Sequence, residues 1–371
     1  MKKIIIAALA VVSMSFAVNA QIDRSVQPKP GPAPKIKLGK AEKFKLNNGL
    51  QVIMVENHKL PRVSASLTID NPIYLEGDKT GVSQVMGDML GNGTTNMPKD
   101  EFNERVDYLG ANVSFRSNGA SVRSLTKYFG EVLGLMADGV KNPKFTQEEF
   151  DKVIERTLEG IKSNEKSVEA VARRVEDALV YGKNHPYGEF ITKESIKNIT
   201  LQDAKNNYNT YYKPNNAYLV IVGDINPTET KKLVKNLFSD WKKGTIPTTS
   251  YNVPTNVETT EINFINMPNA VQSQVAVINT VDLTLGDKDY YAALLANNIL
   301  GGGGTARLFM NLREDKGYTY GSYSNLSQDK NKNAGVFKAS AAVRNIVTDS
   351  AVVEIQKEIN KIRYQKVTPE E

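Results

Sequence analysis

The residues best placed to do chemistry lie on one short segment, Gly81-Val82-Ser83-Gln84-Val85-Met86-Gly87-Asp88-Met89-Leu90. Val82, Val85, Met86, Met89 and Leu90 recur at i, i+3, i+4, i+7 and i+8, which predicts an α-helix with one apolar stripe. Gln84 and Asp88, four apart, share the opposite face, with Gly87 close by. In a helical H-x-x-E-H pattern, the two positions four apart carry imidazoles that bind zinc, and the glutamate between them activates water. Here the same frame reads Gln, Gly and Asp. Amide and carboxylate oxygens suit harder ions better than zinc, and glycine takes no proton. The helix is expected and the catalyst is not. Gln84 and Asp88 read best as a solvated or interface-facing polar side.

Nothing elsewhere makes up the loss. The chain has two histidines, His58 and His185, far apart in sequence, whereas a catalytic zinc usually takes two or three His with a carboxylate. The absence of cysteine excludes disulfides, thiolate zinc sites and a Cys nucleophile. His185 in His185-Pro-Tyr-Gly188 reads as a structural turn residue. Gly301-Gly-Gly-Gly-Thr-Ala306 satisfies G-x-G-x-x-A, but an apolar helical run (290–300) precedes it where a dinucleotide fold needs a strand. It is a flexible loop or a helix stop. A formal charge of +6, evenly spread, is too mild to argue for nucleic acid.

The N-terminus carries an address. Lys2 and Lys3 precede an apolar stretch at 4–18, too short to span a bilayer, and Val18-Asn19-Ala20 supplies the small residues of a cleavage site. Residues 1–20 are read as a signal peptide and 21–41 as a Pro-rich extended leader. No Cys follows for a lipid anchor, and no later segment approaches a membrane span. The protein is expected to be exported and soluble.

Strand-like runs at 44–46, 50–56 and 63–70 flank an Asn48-Gly49 hairpin turn. A helix from Pro98 carries Phe102, Val106 and Leu109 inward and ends at Gly110. Strands at 111–116 and 122–126 follow. A capping box at Thr146 and Glu149 opens a helix burying Phe150, Val153, Ile154, Leu158 and Ile161. Val168, Val171, Val175 and Leu179 define the next helix. A box at Thr200 and Asp203, weaker for having Asp rather than Glu, opens a helix running to Tyr212. A buried strand (217–223) and a helix (227–241) complete an α+β unit at 42–244, a usual domain size.

After a Pro/Thr linker at 245–254, the pattern recurs in 255–371. Leu90-Gly-Asn-Gly-Thr94 has its counterpart in Leu300-Gly-Gly-Gly-Gly-Thr305. Phe102, eight before Gly110, is mirrored by Phe309, eight before Gly317. Such self-similarity predicts tandem copies of one fold. The second copy is shorter, ends after a helix at 352–363 with a fresh N-cap signal at Thr368-Pro-Glu-Glu, and is expected to lack its last helices and strand.

These landmarks carry a resemblance. Leu46-Asn-Asn-Gly-Leu50, Gly81…Met89-Leu90…Gly93-Thr94, His185-Pro-Tyr-Gly188, Tyr212-x-Pro214-x-Asn216, Val222-Gly-Asp224 and Leu312-Arg313…Gly317-Tyr-Thr-Tyr320 stand in order. From about Phe44 to its end the chain resembles the insulinase-like (M16) zinc peptidases, in the short periplasmic or mitochondrial-processing-peptidase-like branch. The resemblance implies an α+β fold, a tandem repeat of two homologous M16-type α/β domains, the second truncated. It places the first zinc ligand at Gln84, the general base at Gly87, the second ligand at Asp88 and the third at Gly160, so all four functional positions are changed. Glu159 could take over only if its helix rotated by about 100°. Glycine at 87 costs about 1 kcal/mol of helix stability relative to Ala, the mark of a helix released from its catalytic role or of close packing.

The resemblance also matches Arg313 and Tyr320 to a pair that reaches from the second domain to peptide in the active site. Arg is a permanent multi-donor cation for a peptide carbonyl, and a Tyr hydroxyl can stabilise an oxyanion. The plainer alternative is a structural Arg and a core Tyr. Asn112 lies on the edge strand that takes peptide by β-addition in this family, or else on an ordinary sheet edge. In two-chain members one chain carries the zinc motif, and the other lacks it but keeps the Arg/Tyr pair. The implied function is therefore a non-catalytic, periplasmic subunit with no cofactor of its own. Its partner would be a homologous chain with an intact H-x-x-E-H that holds the zinc, and peptide the substrate. An active peptidase using a non-standard ion near Asp88, and a peptide-binding or scaffold protein of the envelope, are the alternatives.

Overall fold

The computed structural model describes residues 31–33, 35, 39–328 and 335–368. The signal at 1–20 and most of the leader at 21–41 lie outside them. Ala41–Glu371 forms one compact unit.

Apolar alternation with a period of two builds its larger sheet. β1 (Glu42–Lys45), β2 (Gln51–Glu56), β3 (Arg62–Ile69), β4 (Asn112–Arg116), β5 (Gly119–Leu125) and β6 (Ala217–Gly223) take the order β1-β2-β6-β3-β5-β4. Val63, Ala65, Leu67 and Ile69 of β3 are all buried, with the residues between them half-buried. Register carries the same face across the sheet, Leu67 lying opposite Leu219 of β6 and Ala120 of β5. β6, latest in sequence, sits at the centre and runs parallel to β2. The Asn48-Gly49 turn forms with Gly49 at φ 99°. The Asn48 amide donates to the Phe238 and Trp241 carbonyls at 2.7 and 3.0 Å, tying the first hairpin to the end of a late helix.

The helices packed with this sheet are α1 (Val82–Met89), α2 (Lys99–Tyr108), α3 (Phe129–Lys141), α4 (Gln147–Asn164), α5 (Val168–Tyr181), α6 (Lys193–Lys197), α7 (Leu201–Tyr211) and α8 (Pro227–Phe238). The patterning passed over α3. Its buried residues, Phe129, Val132, Leu133, Leu135, Met136 and Val140 among them, lie on one broad side, with Gly130, Glu131, Gly134 and Asp138 on the other, so the helix is amphipathic and its period was present in the sequence. The two capping boxes reverse their expected ranking. Thr146 accepts the Glu149 N–H, but the Glu149 carboxylate is drawn away to Lys99 at 2.8 Å, leaving half a box. The Thr200–Asp203 box closes in both directions.

The second part comprises β7 (Gln272–Val281), α9 (Tyr290–Gly301), α10 (Arg307–Phe309) running into a π-helical turn (Met310–Asp315), β8 (Thr319–Ser327), β9 (Gly335–Arg344) and α11 (Thr348–Tyr364). Its antiparallel order β7-β9-β8 repeats β3-β5-β4. Gly110 and Gly317, paired by the sequence repeat, end their helices at φ 57° and 61°. Leu300, Leu308, Leu312, Val343 and Ile355 belong to a core separate from that of the first part. β6 covers the β3 edge remote from β5. Among the described residues no strand covers the corresponding edge of β7, where the Asn256 side chain bonds both the N–H and the carbonyl of Thr280.

Candidate functional site: a cleft lined by three arginines

With its apolar stripe buried, α1 turns Gln84 and Asp88 outward. α4 buries Phe150, Val153 and Ile161 and presents Arg156, Thr157, Gly160 and Asn164. α5 starts at the N-cap Ser167, whose hydroxyl accepts the Ala170 N–H at 3.2 Å. It adds Glu169, Arg173 and Arg174. With Phe190 and Ile191 these helices enclose a cleft of about 710 Å³. Three of the positions singled out from sequence, Gln84, Asp88 and Gly160, therefore share one cavity.

Gly87 does not. It is buried, and a Cβ added there would stand 2.4 Å from the backbone N of Ser117 and 2.8 Å from its Cα. The β4–β5 turn occupies the space a longer side chain would need, so close packing accounts for this glycine. Gly160 is the opposite case, exposed and with nothing within 4 Å of an added Cβ.

Charge in the cleft is also rearranged. Arg156 Nη2 lies 3.6 Å from Asp88 Oδ2, both groups partly exposed, a pair worth at most about 1 kcal/mol. A guanidinium thus approaches the one carboxylate among the four positions singled out from sequence. No imidazole is near it, and among the described residues no three of His, Cys, Asp and Glu are grouped to hold a metal. The residues present do not fit a zinc ion. His185 is buried, packs against the rings of Tyr181 and Tyr251 at 5.1 and 4.8 Å, and accepts the Tyr187 N–H on Nδ1 at 3.1 Å, as a turn residue would.

His58 forms a cluster the sequence did not signal. Its Nδ1 meets Asp224 at 2.6 Å and its Nε2 meets Glu56 at 2.5 Å. The parallel pairing of β2 with β6 sets Glu56 opposite Gly223 and so brings the two carboxylates to one imidazole. The hydrogen bond that Asp224 accepts, then the one that Glu56 accepts, raises the His58 pKa, and His58 in turn lowers that of Asp224.

Arg313 lies on the π-helical turn, a distortion that recurs at functional positions. Its Nη1 donates to the Tyr320 carbonyl at 3.2 Å and its guanidinium sits 4.9 Å from the Phe309 ring centre. Tyr320 is 86 % exposed, beside a break in the β8–β9 register, so it is not a core tyrosine. Neither residue lines the cleft. Asn112 is exposed on β4, the outermost strand of the larger sheet. Sequence reasoning assigned nothing to Arg156, Arg173 and Arg174. They sit at ordinary polar positions of amphipathic helices and become a group only once α4 and α5 pack.

A family model for the insulinase peptidases, family M16, matches residues 51–187, and one described as the peptidase M16 inactive domain matches 198–371. The uncharacterized zinc protease YmxG of Bacillus subtilis is 24% identical over 296 residues, covering 76% of this chain and 69% of that protein. The non-peptidase homolog YmxG of Helicobacter pylori is 23% identical over 286 residues, covering 75% of this chain and 65% of its own length. A crystal structure of a peptidase M16 inactive domain from Pseudomonas fluorescens superposes with a TM-score of 0.80 at 23% identity, over 89% of this chain and 81% of that one.

Proposed function

The chain belongs to the M16 peptidase family, and from that premise we infer that it is the non-catalytic chain of an exported two-chain peptidase. One observation carries this reading: the general-base position, Gly87, is closed by the Ser117 backbone. Beside it, Asp88 faces the Arg156 guanidinium at 3.6 Å. The Helicobacter homologue described as a non-peptidase lends support. The partner is a homologous chain with an intact H-x-x-E-H, which holds the zinc, and the substrate is a peptide. Arg313 and Tyr320, exposed outside this chain's own cleft, are available to a partner. There the guanidinium binds a peptide carbonyl and the phenol stabilises the developing oxyanion. The signal at 1–20 directs the chain to the periplasm, and among the described residues no helix is long and apolar enough to cross a membrane.

Elemental analysis and a chelator-sensitive peptidase assay on the purified chain test the reading. No stoichiometric zinc and no cleavage are expected from the chain alone, with activity on mixing with the zinc-bearing partner. Arg313→Ala should lower the activity of the mixture by ten-fold or more, the scale of a hydrogen bond to a charged group. Tightly bound zinc and chelator-sensitive turnover in the lone chain would overturn the proposal. A mixture without activity would favour an envelope scaffold instead.

A further inference from the structure

We propose that the cleft between α1, α4 and α5 binds a peptide through a carboxylate group held by Arg156, Arg173 and Arg174. Two helices bring these three arginines to the wall of one cavity of about 710 Å³, a volume in the range of organic ligands and far above that of a small inorganic anion.

The carboxylates that share the cleft are already engaged. Asp88 faces Arg156 at 3.6 Å. Glu169 accepts the Ser167 hydroxyl at 3.0 Å and the Gln274 amide at 3.4 Å. Just outside, Glu165 is paired with Lys193 at 2.8 Å and Glu176 with Lys338 at 2.5 Å. Among the described residues no carboxylate stands within 4 Å of the Arg173 or Arg174 nitrogens; Asp177 acts on Arg173 and Glu165 on Arg174 only at longer range. Arg174 lies over the Phe190 ring at 5.6 Å, which orients its planar group and leaves donor edges for a ligand.

The shape of the site favours peptide over a free anion. A guanidinium edge matches a carboxylate bidentately. Ile161, Phe190 and Ile191 supply an apolar wall for neighbouring side chains. Gly160 leaves the surface of α4 bare, so a main chain can approach it closely. The inference concerns the isolated chain and does not depend on a partner or on the roles of Arg313 and Tyr320.

The test uses the purified chain and three fluorescent peptides of one acid-free sequence. One is amidated, one has a free C-terminal carboxylate, and one is amidated with a single internal Glu. Anisotropy should detect binding of one or both carboxylate peptides and much weaker binding of the neutral one, and the two arms identify which carboxylate is recognised. Arg173→Ala and Arg174→Ala should each weaken binding about ten-fold. Asp88→Asn, by releasing Arg156, should strengthen it several-fold, a gain that misfolding cannot produce. Equal binding of all three peptides, no binding of either carboxylate peptide, or affinities unmoved by the Arg variants, would each overturn the proposal.

Discussion

Gly87 and Gly160 have the same helical backbone and the same intrinsic handicap, yet their replacement by alanine should move stability in opposite directions. In a helix interior, Ala is favoured over Gly by about 1 kcal/mol. At Gly160 a Cβ meets nothing within 4 Å, so the gain is realised and Gly160→Ala should stabilise by about 0.5–1 kcal/mol. At Gly87 the same Cβ would lie 2.4 Å from Ser117 N and 2.8 Å from its Cα. Those are backbone atoms, which no rotamer change can move away. Overpacking of a buried contact costs about 1–3 kcal/mol, and here it must displace the turn that joins β4 to β5. The net expectation for Gly87→Ala is a loss of about 1–2 kcal/mol despite the better helix former. Urea unfolding followed by far-UV circular dichroism should show midpoints shifted to opposite sides of the wild type. If Gly87→Ala proved as stabilising as Gly160→Ala, the turn would not be pressed against α1, and the packing account of the lost general base would fail.

Protonation of His58 should be visible in stability against pH. Its folded pKa is raised above 6.5 by Asp224 and then Glu56, so its contribution is complete below 6.5 and fades as pH rises through the folded value. Asp224, lowered chiefly by its bond to His58, contributes above 3.8 and fades as pH falls through its folded value. His58→Gln should therefore differ most from wild type between 3.8 and 6.5 and converge with it in alkaline solution; a pH-independent difference in urea midpoint would exclude the mechanism. Restoration of the motif offers a separate test. Gln84→His, Asp88→His and Gly160→Glu together place donors on the cleft without supplying a base, so peptide hydrolysis is not expected. Adding Gly87→Glu should unfold the chain at lower urea rather than create activity. A well-folded, chelator-sensitive quadruple variant would contradict this.

Much of the larger sheet was legible because alternation in β3 and β6 is strict and both faces of each strand do different work. The repeat was legible for a related reason. A residue that must end a helix at positive φ is best a glycine, and Gly110 and Gly317 meet that requirement with nearly the same angle. α3 was overlooked although its period is present: Phe129, Val132, Leu133, Met136 and Val140 recur at helical spacing and are all buried. The site shows the same division. That Gln84, Asp88 and Gly160 offer no imidazole is a matter of side-chain chemistry and can be read from letters. Whether the position of Gly87 is vacant or filled is a matter of what else occupies the space, and Ser117 lies on an element 30 residues away in sequence. That distinction sets how reversible each change is. An exposed glycine such as Gly160 can accept a new side chain without disturbing its neighbours, whereas Gly87 can do so only if a hairpin moves. A position of the first kind can be refilled by substitution alone. With the second kind closed, what the remaining cavity can offer is the charge on its walls.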